Sequence, residues 1–127
     1  MGVVPDKYRG TATYRDVYRE LINAARYKGT VTYQELAQMM GLPISGQHMG
    51  SQVGWILGEI SEDEHAAGRP MLSAVAVAVS GEPGEGFYEL ARKLGLLGEV
   101  PCEESRKFWR RQKEAVYETW KRVVKRE

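Results

Sequence analysis

Hydrophobic and polar positions along the chain alternate with helical spacing in five stretches and with strand spacing in one. From Thr13 to about Arg26, the residues Tyr14, Val17, Tyr18, Leu21, Ile22 and Ala25 recur at the i, i+3, i+4, i+7 rhythm of a single helix face. Thr13 is placed to cap it. Next, "TVTYQELAQMMGLP" sets Thr32 and Glu35 three apart, the spacing in which a threonine oxygen and a glutamate carboxylate satisfy the open N–H groups of a helix start. A short helix over Tyr33–Met40 is predicted, with Leu36, Ala37 and Met40 on one side, Gly41 turning left-handed after it and Pro43 forbidding continuation.

A third helix is predicted from Gln47 to Glu64, because Met49, Val53, Ile56, Leu57 and Ile60 form one apolar stripe. Its other side carries Gln47, His48, Ser51, Gln52, Trp55 and Glu59. Gly50, Gly54 and Gly58 fall four apart on it; each costs about 1 kcal/mol against alanine, so a closely packed neighbour is expected there. The run "PMLSAVAVAV" alternates Val75, Val77 and Val79 with alanines and reads as a strand buried on both faces. It ends in the turn-rich "SGEPGEG". Helical spacing resumes from Phe87 to Leu97 and stops at Pro101. A last helix, about Glu103 to Lys125, turns Phe108, Trp109, Val116, Trp120, Val123 and Val124 inward.

The sequence has 127 residues, 43% hydrophobic and 28% charged, which fits one domain (1–127) with its own core. A single cysteine, Cys102, allows no internal disulfide and has no Cys/His cluster beside it, which points to a reducing compartment, the cytoplasm, and to no metal or cofactor. Neither a signal peptide nor a membrane span is expected: the longest apolar run, Ala74 to Val79, is far too short to cross a bilayer. The net charge of +1 gives no global attraction to a polyanion. Its distribution is uneven: the end from Glu103 on is basic, through Arg106, Lys107, Arg110, Arg111, Lys113, Lys121, Arg122, Lys125 and Arg126. Glu59 to Glu64 is acidic, and both runs read as solvated faces.

Three helices, a strand and a glycine loop is the order of a winged helix, in which the second helix props the third against nucleic acid. The fold class expected is α+β: a winged-helix-like helical module with a short β element and an extra C-terminal helix over 101–127. Gln47, His48, Ser51 and Gln52 stand where the first residues of a recognition helix would meet base edges or phosphates.

"YRDVYRELINAARYKGTVTYQELAQMMGL" followed by "SQVGWIL" resembles the DNA-binding domain of the alkylguanine-DNA alkyltransferases and alkyltransferase-like proteins over residues 14–97. The family pattern is an aromatic-led helix, a Thr-Tyr-x-x-Leu/Ile-Ala helix, a glycine, and a recognition helix with Arg-Ala-Val-Gly; "GTVTYQELA" and Val53-Gly54 match it. The resemblance implies that Tyr33 lies beside the phosphate of a target nucleotide and that the third helix enters the minor groove. It puts Ser51 where the family's arginine fills the space of an extruded base, and a serine is too short for that. The family's reactive Pro-Cys-His-Arg-Val is replaced by "PMLSAVAV", with Ser73 or Ala74 at the cysteine position depending on register. Alkyl transfer needs a thiolate activated by a histidine, and neither is there. "GEPGEGFY" echoes the family's glycine-rich loop, with Phe87 or Tyr88 near the pocket-lining aromatic; Trp55 and Ser73 complete that candidate pocket.

The reading from sequence is therefore non-catalytic binding of double-stranded DNA, in repair, damage sensing or regulation. The candidate contacts are Lys28, Thr32, Tyr33, Gln47, His48, Ser51, Gln52 and Arg69. The alternative is a protein-interaction module that kept the scaffold and lost the DNA site, meeting a partner through Trp55 or the C-terminal helix. Ser73 as a nucleophile is a third reading, with no base in sight to activate it.

Overall fold

The computed structural model describes residues 7–44 and 46–121. Helix α1 (Ala12–Arg26) starts at Thr11, whose hydroxyl accepts from the Tyr14 N–H at 3.1 Å and donates to the Tyr8 carbonyl at 2.6 Å. The cap thus falls two residues before Thr13, because only Thr11 reaches both the helix and the chain leading into it. Val17, Leu21 and Ala25 are the buried stripe of α1, and Tyr14, Tyr18 and Ile22 flank it.

Strand β1 (Val31–Thr32) runs into α2 (Tyr33–Met39), and Gly41 turns left-handed beyond it at φ +74°. Both halves of the predicted capping box form. The Thr32 hydroxyl accepts from the Glu35 N–H at 3.1 Å, and the Glu35 carboxylate accepts from the Thr32 N–H at 2.8 Å. Helix α3 (Gly46–Ala66) buries Val53, Ile56, Leu57 and Ile60 as expected. Gly50 and Gly54 differ from expectation: a Cβ added to either meets nothing within 4 Å, so they face open space instead of a packed backbone.

The alternating run was expected to be one strand and is not. Leu72–Val75 forms a single 3-10 turn, and only Ala76–Val77 is strand, β2, paired in parallel with β1 in the register Val31 to Ala76 and Thr32 to Val77. Burial on both faces was read correctly from Met71 through Val77, but burial alone does not choose extended backbone. Side chains of flanking helices satisfy this backbone in place of a neighbouring strand. Met71 N–H donates to Gln112 at 3.0 Å, Ser73 N–H donates to the Ser61 hydroxyl at 3.1 Å, and the Ala74 carbonyl accepts from the Trp109 indole at 2.9 Å.

Helix α4 (Glu85–Lys93) buries Phe87, Leu90 and Ala91, and α5 (Cys102–Trp120) packs across α1 and the 3-10 turn through Phe108, Trp109, Val116 and Tyr117. Val123, Val124 and the basic residues Arg122, Lys125 and Arg126 lie outside the described residues. The result is an α+β protein, mostly helical, with a two-stranded parallel sheet. Among the described residues no helix is long and apolar enough to cross a membrane. Replacing Trp109 by Phe keeps an aromatic side chain but removes the indole N–H from the buried Ala74 carbonyl and leaves a smaller ring, so urea unfolding should show a loss of at least about 1.5 kcal/mol.

The acidic run is the largest departure. Glu59 and Glu64 have no exposed surface, and Glu62 and Asp63 pair with Arg9 at 2.8 and 3.0 Å. What read as a solvated patch is instead the side of α3 that grips residues 7–9 and the chain beyond its own C-terminus.

Candidate nucleic-acid interface

The capped start of α2 fixes Tyr33. As the first residue of that helix it crosses to the glycine loop, where its hydroxyl accepts from the Gly84 N–H at 2.8 Å. A Cβ at Gly84 would stand 3.7 Å from the Tyr33 ring, an ordinary contact, so the loop passes close to the ring without needing glycine at this position. Burial pushes the Tyr33 phenol up from its ordinary value, with the Gly84 N–H pulling partly the other way. At neutral pH the phenol is protonated, and since it accepts from Gly84 it keeps its own hydrogen to donate. Thr32 does not reach outward; its hydroxyl is engaged with Glu35.

Tyr33 borders a cleft of about 350 Å³ between α3 and the loop-to-helix segment that begins α4. Met49, Val53, Leu57 and the bare backbone of Gly50 and Gly54 make the α3 wall. Gly84, Gly86, Phe87 and Leu90 make the opposite wall, and Glu89 and Lys93 stand exposed at the mouth. Ser73 closes the cleft from behind, almost wholly buried. Its hydroxyl accepts from Ser61 at 2.7 Å, so the group it meets is another hydroxyl and not a base.

Of the four expected pocket residues, Ser73 and Phe87 line this cleft and Trp55 and Tyr88 do not. Trp55 follows Gly54 by one residue, a rotation of about 100° around the helix, which carries it to the flank, where the Lys7 ammonium sits 4.6 Å over its ring. Tyr88 is buried edge-on against Phe87 and faces Glu82, which with burial raises its phenol.

The polar start of α3 is open. Gln47, His48 and Ser51 are exposed, Ser51 donating to the His48 carbonyl at 3.2 Å. Gln52 is half-buried and accepts from the Tyr8 hydroxyl. Helix α5, packed on α1 and the 3-10 turn, leaves the three exposed residues clear.

Two expected phosphate contacts are elsewhere. The turn after α3 has Gly68 at φ +79° and Arg69 N–H bonded back to the Glu64 carbonyl at 2.9 Å, which brings the Arg69 guanidinium onto the buried Glu64 carboxylate at 2.6 Å and over Trp120. The helix between Gln47 and Glu64 puts that cluster roughly 25 Å from Gln47. Lys28, left-handed at φ 55° and exposed, lies near Glu118 of α5, whose carboxyl is lowered chiefly by Lys121 and also by Lys28. Arg69 and Lys28 therefore belong to the α5 end of the molecule.

Lys93, Glu89, the glycine wall and Lys7 were not singled out from sequence. The glycine spacing was visible, but only the fold shows that it opens onto a cleft. Among the described residues no group of three or more His, Cys, Asp or Glu is placed to hold a metal ion, and Cys102 is exposed at the start of α5. Comparison with protein-family models, curated proteins and solved structures finds no match for this chain.

Proposed function

We propose that the protein binds double-stranded DNA through a winged-helix-like module of the alkyltransferase-like kind, without catalysing a reaction. The observation that carries this is the open start of α3, with Gln47, His48 and Ser51 exposed directly beside a cleft bordered by Tyr33 and backed by Ser73. Uncharged donors and acceptors on a helix start suit base edges, and the Tyr33 hydroxyl suits a phosphate oxygen. The resemblance puts a base removed from the stack in such a cleft. Ser51, too short to hold the gap in the stack, favours binding without stable eversion. A serine hydroxyl bonded to a second serine supplies no activated nucleophile, which is why the reading is non-catalytic.

The test is fluorescence anisotropy on a short duplex across a salt series. Each cation–phosphate contact contributes about −0.9 to the slope of log K against log salt, a loss of roughly threefold per contact between 50 and 200 mM. Changing Gln47, His48 and Ser51 together to alanine should weaken binding with the fold intact. Absence of retention at low salt ends the DNA reading.

One observation favours the protein-interaction reading: Met39 at the end of α2 and Ile44 in the connection to α3 are exposed at 45% and 56%. The acidic run that would have supported it is spent within the fold, buried at Glu59 and Glu64 and paired with Arg9 at Glu62 and Asp63. A wild-type protein that ignores duplex DNA while a charge at Ile44 abolishes a protein complex would decide for it.

A further inference from the structure

Residues 7–9 are folded around one carboxylate. Glu59 is fully buried in the middle of α3 and accepts from three successive backbone N–H groups: Lys7 at 2.9 Å, Tyr8 at 3.1 Å and Arg9 at 2.8 Å. Successive N–H groups converging on an anion form a nest, and four carboxylate lone-pair sites are enough to serve all three donors. Arg9 then clamps the turn from outside, onto Glu62 at 2.8 Å, Asp63 at 3.0 Å and the Glu59 carbonyl at 3.2 Å. Tyr8 bonds Gln52, and Lys7 reaches over Trp55.

Covering this side of α3 with apolar side chains would avoid the desolvation of a buried carboxylate. What the carboxylate adds is a fixed position for the turn. Trp55 is four residues beyond Ser51 and Gln52 four beyond His48, so the turn lies one helical turn from the exposed start, on the same flank. Helix α3 itself, over its described residues, carries no Lys or Arg. Arg9 is neutralised by its acids, whereas Lys7 is exposed and rests on an aromatic face, a contact that consumes no N–H donor.

We propose that the turn over residues 7–9 is part of the DNA-contacting surface, with Lys7 as a phosphate-binding cation beside the start of α3 and Glu59 as the residue that positions it. This rests on the DNA reading above.

The experiment is the slope of log K against log salt on a short duplex for the wild type, Lys7→Ala, Lys7→Arg and Glu59→Gln. One lost phosphate contact lowers the slope by about 0.9, so Lys7→Ala should lose roughly threefold less affinity than wild type between 50 and 200 mM salt. Lys7→Arg should restore the wild-type slope. Glu59→Gln, whose amide turns a donor toward three donors, should release the turn and show the alanine slope. If Glu59→Gln lowers stability but leaves the slope at the wild-type value, Glu59 is structural only and the positioning role is wrong. Should it fail to fold, the two Lys7 variants carry the test. A wild-type slope in Lys7→Ala, or tighter binding that marks the turn as a cover over α3, overturns the proposal while the DNA reading stands. No binding by the wild type overturns the DNA reading itself.

Discussion

Replacing Arg69 with alanine is expected to destabilise the protein by about 3 kcal/mol, at the low end for one half of a buried ion pair because the guanidinium is 40% exposed. The loss comes from Glu64. Its carboxylate has no exposed surface, and its Oε1 has no hydrogen-bond partner among the described residues, so Arg69 is its chief compensation. Removing the cation leaves a desolvated charge behind, whereas removing both groups, as Glu64→Gln with Arg69→Met, should recover most of the loss. Chemical denaturation of the single and the double variant tests this. A single-variant loss below about 0.5 kcal/mol would mean that the pair behaves as an exposed surface bridge.

The same cluster sets an alkaline limit. Burial first, and then the neighbouring Glu64 carboxylate, push the Tyr18 hydroxyl up to about 12 from its ordinary 10.0. Between those values the unfolded chain has released the proton and the folded chain still holds it, so stability present below pH 10 declines as pH rises toward 12. Burial and the Asp63 carboxylate raise Tyr14 as well, which extends the decline. Tyr18→Phe should flatten part of it, measured by denaturation at stepped pH.

The second large effect has opposite signs in two measurements. Gly50→Ala and Gly54→Ala together should stabilise the protein by about 2 kcal/mol, since each glycine in a helix interior costs about 1 kcal/mol and neither added Cβ meets an atom within 4 Å. The same pair should weaken duplex binding, because the methyl groups stand on the cleft wall beside the exposed helix start, where bare backbone lets a sugar-phosphate chain come close. Gain in stability with loss of affinity would mark the glycines as part of the binding face. Unchanged affinity would remove the cleft wall from it.

Much of the local structure was legible in the sequence. Thr32 and Glu35 announced a helix start, and Gly41 and Pro43 its end, because capping needs only residues a few positions apart. The stripes of α1, α3 and α4 were legible for the same reason: a helix repeats every 3.6 residues whatever lies against it. The alternating valines misled because Met71 to Val77 is apolar on every side, and a pattern without a polar face records burial and not backbone geometry. Ser61, Trp109 and Gln112, from 12 to 41 positions away, hold that segment in its 3-10 turn.

The candidate site divides along the same line. That Gln47, His48 and Ser51 share the polar side of the start of α3 could be read from the sequence, since the helix period fixes which residues share a flank. The acids that Lys28 and Arg69 meet could not be read this way: Lys28 lies near Glu118 of α5, and the turn after α3 carries Arg69 back onto the buried Glu64. The sequence by itself determined which stretches are helical, where α2 begins and ends, and which face of each helix is apolar, for these are short-range consequences of chain geometry. Only the tertiary structure decided which charges are spent inside, that Gly50 and Gly54 open onto a cleft, and that Glu59 gathers residues 7–9 onto α3, because each depends on groups tens of residues apart meeting in space.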